Sequence, residues 1–298
     1  MGNVQLGGLS HALHDGRIRF YMDKENGMKN GIMKMLALGL ASLFTVGLCS
    51  ACGSEISPLF DEYEDAEKYQ TGNFTYAAAD VTEIEIDWIA GEVNVVQVDA
   101  ETLSVSEKSV AKEEEKRLHY YLHDGVLNIK FCKSDFKGSI NERDKKLTVE
   151  IPSGIYLDVE TVSSPVEVGD VTLSGLTVSN VSGSVNFGKV QADTINVETV
   201  SGNIAMGETS ATVLGLESIS GNIQTTLIKA ATVDIENTSG NVTIALQANL
   251  GTTLKLSTIS GKLSTDLEYT QSGSRFNFYG GGANNVHVDL ISGNLTVK

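Results

Sequence analysis

Residues 182–242 read SGSVNFGKVQADTINVETVSGNIAMGETSATVLGLESISGNIQTTLIKAATVDIENTSGNV, and within them the pair Ser-Gly returns at 182, 201, 220 and 239. Each step is 19 residues; Ser163-Ser164 stands one step earlier, and Ser260-Gly261 and Ser292-Gly293 follow after 21 and 32. A constant period of this length marks an array of small structural units. Aligned on the second residue of each pair, the position two further on is Val166, Val185, Ile204, Ile223, Val242 and Leu263. Two beyond that come Val168, Phe187, Met206, Thr225, Ile244 and Thr265. The second half of each unit supplies Leu176, Ile195, Leu214 and Val233, then Val178, Val197, Leu216 and Ile235, again two residues apart. Apolar side chains at period two mean strands, so each unit holds about two short strands joined at small-residue corners. Glycine at those corners allows a positive φ.

A unit this small leaves one side of each strand wet, and stacking units buries it. Successive coils then pair as parallel strands ~4.8 Å apart, like residue over like. The sequence therefore predicts an all-β fold, a parallel β-solenoid of about 19-residue coils over residues 159–298. The competing arrangement is an antiparallel sandwich, but hairpins reverse the chain and would not hold one phase across four consecutive steps. The 32-residue step contains QSGSRFNFYGGGANN (Gln271 to Asn285), which reads as a loop inserted into one repeat.

Outward from the ladder, residues 80–158 read as an irregular β-rich N-terminal cap. Ile84, Ile86 and Trp88, then Val93 and Val95, alternate around Ala90-Gly91, and Asp124-Gly125 is a two-residue turn between two further strands. Residues 110–117 (VAKEEEKR) read as a short helix or a charged loop, and Lys133 to Lys146 as a polar loop. The phrase LTVEIPSGIYLDVETVSSPVEV, the recurrent VSGNI and ISGNI units and the earlier IEIDWIAGEVNVV together resemble the DUF4097 family over about residues 80–298. That resemblance implies an adhesin-like protein, often a lipoprotein or otherwise envelope-associated. It brings no catalytic residues to transfer, because the shared motifs are structural corners.

Residues 28–55 (MKNGIMKMLALGLASLFTVGLCSACGSE) place Lys29 and Lys34 before an uncharged run from Met35 to Leu48. The run is 14 residues long, too short to span a bilayer and the right length for a signal-peptide core. With Ser50 and Ala51 just before Cys52, the segment resembles a bacterial lipoprotein signal whose cysteine is lipidated, although Cys49 stands where such signals usually carry Leu. The plainer reading is a secretory signal cut near Ala51. Residues 1–51 are accordingly an N-terminal extension and signal peptide, and residues 52–79, rich in acids, an extended tether. These segments predict an extracytoplasmic protein anchored to the bacterial cell membrane by lipid on Cys52.

The whole chain has 22 basic and 38 acidic residues, a net charge of -16 and a pI near 4.7. Without residues 1–51 the counts fall by 5 and 3, giving -18. Such a chain repels phosphate backbones, so nucleic acid is excluded as a partner. Three cysteines make no disulfide framework, and there is neither a CxxC pair nor an HExxH to suggest zinc.

The candidates for chemistry each have a structural reading beside the functional one. His119 and His123 could share a metal on a helix, but their setting is a strand, and His287 stands alone. Cys132 lies near Lys130 and Lys133, which would activate a thiol; a buried, inert cysteine is the alternative. Trp88 could stack on a sugar or fill the core. Asn203, Asn222, Asn241 and Asn294 could form a polar binding row or a stacked amide ladder that satisfies the corners. Glu198, Glu217 and Glu236 repeat at 19-residue intervals on the outward side of a strand, with Glu160 two coils earlier. They form either a solvated acidic face or a weak ladder for calcium or a cationic ligand, since stacked carboxylates repel by roughly 1 kcal/mol per pair in water. No catalytic residue, cofactor or dedicated metal site is identified. The function expected is that of a non-catalytic envelope lipoprotein acting as a surface binding or scaffold module toward an unknown, cationic ligand, with the envelope stress response among its uses. A polysaccharide-degrading β-helix enzyme is the alternative.

Overall fold

The computed structural model describes residues 63–136 and 145–298, and the backbone of residues 10–14 and 17–21. Cys52, the signal segment and residues 137–144 of the polar loop lie outside the described residues. Ser10–His14 and Arg17–Tyr21 pair as an antiparallel ribbon in a unit of their own. No helix among the described residues is long and apolar enough to cross a membrane.

The ladder is a parallel β-solenoid with three-sided coils. In one coil the sides are Tyr156–Ser163, Val166–Val168 and Val171–Thr172. The next repeats them as Gly175–Ser182, Val185–Phe187 and the start of Val190–Ser201. Register is in phase by 19: Leu176 lies on Ile195, Ile195 on Leu214 and Leu214 on Val233, all with 1% exposure or less. The second column, Val166, Val185, Ile204, Ile223 and Val242, is equally buried.

The corner glycines follow a physical rule different from a need for positive φ. Gly183, Gly240 and Gly293 have positive φ, but Gly202, Gly221 and Gly261 do not. What all six share is clearance. A Cβ at Gly202 would lie 2.0 Å from the Gly183 carbonyl oxygen, and one at Gly221 1.8 Å from that of Gly202. The corners stack backbone on backbone, and no side chain fits between them.

Chain order and spatial order part company at both ends, which corrects the simple head-to-tail ladder. Glu83–Ala90 lies between Val126–Lys130 and Tyr156–Ser163, parallel to both. Likewise Glu92–Gln97 lies between Lys146–Ile151 and Val166–Val168. Residues 83–97 therefore form a true coil, with Ala90 in the serine column opposite Ser163. The solenoid begins well before residue 159. At the other end, Asn284–Ser292 is inserted between Thr232 to Ser239 of one coil and Thr252–Ser260 of another. The 32-residue step is a detour: the chain skips a place, lays down the terminal coil, turns through an antiparallel hairpin (Tyr269–Ser272 and Arg275–Phe278) and returns to fill the gap. The segment expected to be a loop contains the turn and second strand of this hairpin.

Antiparallel strands close the N-terminal end. Thr102–Lys108 and Phe74–Ala77 extend one side from Lys146–Ile151, while His119–His123 and Gln70–Thr71 extend another from Val126–Lys130. Residues 70–77, placed by sequence in the tether, thus belong to the sheet, and within 110–117 only a 3-10 turn, Glu114–Lys116, is formed. Beneath this cap Lys145 and Glu107 pair at 3.2 Å with both side chains fully buried. The Lys145 ammonium donates to the Lys116 carbonyl at 2.7 Å and to that of Phe131, and lies 4.9 Å from the Trp88 ring centroid. A buried charge needs such complete partnering to be tolerated.

Candidate functional site

The long side of each coil turns alternate residues outward, and stacking converts them into columns. One column runs Asp87, Glu160, Ser179, Glu198, Glu217, Glu236, Asp289 and Ser257. Two residues earlier on each strand, Asp158, Asn196, Gly215, Asp234 and His287 share a second column. Two residues later the face is mostly aliphatic: Val162, Val181, Val200 and Ile219 are half-buried, Thr238 interrupts the run, and Ile291 and Ile259 are exposed.

The glutamate column is as the sequence placed it, but its electrostatic state differs. Although outward-facing, Glu236 is only 7% exposed, and Glu198 and Glu217 are half-buried. Coils above and below and the adjacent aliphatic column exclude water, and burial disfavours the charged form. Burial first, then the neighbouring Glu198, Glu236 and Asp234 carboxylates, push Glu217 up to about 8. Burial followed by Asp289 and Asp234 brings Glu236 to about 7, and burial alone raises Glu198. Burial and mutual repulsion thus make these carboxyls easier to protonate than exposed ones. His287 joins the acidic face because the returning C-terminal segment is inserted there: its Nδ1 is 3.6 Å from Asp234 Oδ1 and its Nε2 3.4 Å from Asp289 Oδ1. Among the described residues, no group of three or more His, Cys, Asp or Glu is arranged to hold a metal ion.

The remaining candidates fall to structural roles. His119 and His123 lie on a strand, where four residues span ~13 Å. His119 Nδ1 is 2.9 Å from the Arg117 carbonyl, and burial holds its pKa below the usual histidine value. His123 is exposed beside Asp124 at 3.4 Å. Cys132 is fully buried, with its thiol donating to the Lys133 carbonyl at 3.4 Å. Trp88 is core, 1% exposed and edge-on to Phe131 at 4.9 Å.

The asparagines are an amide ladder in the literal sense. The Asn203 side-chain oxygen accepts the Asn222 N–H at 2.9 Å, and that of Asn222 accepts the Asn241 N–H at 2.9 Å. Asn241 serves Asn294 at 3.0 Å and Asn294 serves Lys262 at 3.2 Å, so the ladder follows spatial order rather than chain order. A second polar column went unnoticed in the sequence. Thr161, Asn180, Thr199, Ser218 and Asn237, each two residues before a corner pair, are buried inside the coil. Asn180 Nδ2 donates to Thr161 Oγ1 at 2.7 Å and to the Ser164 carbonyl at 2.8 Å, and Asn237 Nδ2 donates to the Gly221 carbonyl at 2.9 Å. Their own 19-residue recurrence was the available signal.

A stacked parallel ladder with glycine corners is also what a family comparison finds: the family described as Toastrack DUF4097 matches residues 81–278 and 220–298. The chain belongs to the DUF4097 family. Membership spans the interleaved N-terminal coils as well as the regular ladder. Solved structures similar to this DUF4097 chain include a candidate adhesin from Bacteroides fragilis, 12% identical, covering 78% of this chain and 98% of its own, with a TM-score of 0.43. Another is a candidate lipid-binding protein from Parabacteroides distasonis, 14% identical, covering 78% and 97%, with a TM-score of 0.42. A candidate cell adhesion protein from Clostridium sporogenes is 14% identical, covers 77% and 99%, and has a TM-score of 0.32. No curated protein matches the chain.

Proposed function

We propose that this DUF4097 chain is a non-catalytic, extracytoplasmic binding or scaffold module, held at the bacterial cell membrane by lipid on Cys52. The observation that carries the reading is the use made of the recurrent residues. The corner glycines provide clearance, the asparagines receive the backbone N–H of the next coil, and within the coil Asn180 and Asn237 donate to corner carbonyls. The recurrent residues of the repeat thus build an extended, regular surface. On that surface the paired acidic and aliphatic columns are where a cationic partner would be bound, and sensing of envelope stress through such a partner is one use of it.

Changing Cys52→Ala tests the anchor: the variant is expected in the medium or unprocessed, and full processing with membrane retention would refute it. For the binding reading, the parent and the variant carrying Glu198→Gln, Glu217→Gln and Glu236→Gln are compared for a polycationic peptide at low salt, where exposed electrostatics are least screened. Equal binding removes the ladder from the function. Release of reducing sugar from cell-wall glycans would replace the whole reading by the polysaccharide-degrading enzyme.

A further inference from the structure

The two ends of the solenoid are finished differently. At the N-terminal end, antiparallel strands continue both sheet sides beyond the outermost coil. At the other end the hairpin strand Arg275–Phe278 covers only residues 252–255 of the terminal coil. Among the described residues, 257–260, and Leu263–Thr265 on the next side, are paired on one side only. A position that is buried as Asn237 and Leu290 in the coils behind is exposed at Thr258. Leu256, Leu263 and Leu267 are half-buried, and Ile259 is 83% exposed. Solenoids require caps because an unfinished coil presents apolar side chains and an open sheet edge.

We propose that two copies of this chain stack end to end through the terminal coil, with residues 257–260 of each antiparallel to residues 263–265 of the other across a two-fold axis near the Ser260-Gly261 corner. Three observations select a second copy. The open edge bends through a corner over two sides, and only another coil presents a bent edge of the same shape; a single extended strand would cover one side. Charge selects the same end. Residues 159–246 carry nine acidic and two basic residues, whereas residues 247–298 carry three and four. Two copies of a strongly acidic chain repel along their lengths and can meet where Lys255, Lys262 and Arg275 lie among Asp266 and Glu268. The contact is also restricted to two-fold symmetry. The N-terminal end finishes in antiparallel strands rather than in a parallel coil, and Lys262 stands where an asparagine would accept the N–H of a further parallel coil, so open head-to-tail growth has no matching surface.

Sedimentation of the full-length chain in density-matched detergent tests this, together with Ile259→Lys. The parent is expected to be a dimer, and Ile259→Lys to weaken association at least about tenfold, as for a central interface side chain, with an unchanged melting temperature of the dilute, dissociated monomer because Ile259 makes little internal contact. Mild oxidation of Ser260→Cys should give a covalent dimer well above the parent chain's background, while Ser201→Cys, at the same corner deep in the stack, should not. A monomer at every concentration, an open-ended assembly, a dimer indifferent to Ile259→Lys, or equal cross-linking at residues 201 and 260 would overturn the proposal.

Discussion

At Gly221 a single added methyl group would meet the Gly202 carbonyl oxygen at 1.8 Å, whereas at Gly273, in the hairpin turn, nothing lies within 4 Å. Gly221→Ala must push two coils apart and is expected to cost about 3 kcal/mol or more in urea unfolding, the upper range of overpacking. Gly273→Ala, at φ +61, should cost only the ~1–2 kcal/mol of a left-handed alanine. Similar losses at the two sites would refute backbone stacking as the reason for the corner. The glutamate column makes a second residue-scale prediction. Folded-state pKa values near 8 for Glu217 and 7 for Glu236 lie above the ordinary 4.5, so each proton is bound more tightly in the fold. Their stabilising contribution is complete below about pH 4.5 and is lost as pH rises through about 7 and 8. Stability should therefore fall between about pH 5.5 and pH 8.5, by about 1.4 kcal/mol for each pKa unit by which the fold raises these groups within that window. With both residues changed to Gln that dependence should flatten, and an unaltered slope would show that the column does not titrate in this range.

Within the coil, Ile223 lies between Ile204 and Val242 and is 1% exposed. Ile223→Ala should cost about 2–5 kcal/mol, because the column above and below is too regular to close around the lost methyls. A loss under about 0.5 kcal/mol, the range of a surface change, would contradict the stacking. The inserted C-terminal segment makes a different prediction. Deleting residues 284–298 removes an interior coil, so protection against hydrogen exchange should disappear in Thr252–Ser260 as well as weaken in 232–239. If Thr252–Ser260 stayed protected, it would be held by something other than the returning segment. Strand type, period and inward columns were legible at this scale because alternation of Val, Ile and Leu is local. The hairpin of Tyr269 to Phe278 was not, since the glycines, asparagines and serines from Gln271 onward read as loop and its pairing with Thr252 to Lys255 depends on a distant strand.

Across the whole molecule, a 19-residue phase, corner pairs and buried columns already determine a β-solenoid, because parallel stacking puts like residues over like and so writes the same requirement into every coil. Composition and the acidic columns were equally readable. The order of coils at the two ends was decided only by tertiary structure. Where links are short, the next coil must lie on the last one. Across the 32-residue detour and the long N-terminal excursion, a strand can reach either neighbour, and the free energy of the complete stack selects the place. The same holds for the raised pKa of Glu217 and Glu236. Their outward direction follows from alternation in the chain, but their loss of water comes from coils packed above and below them and from the aliphatic column alongside.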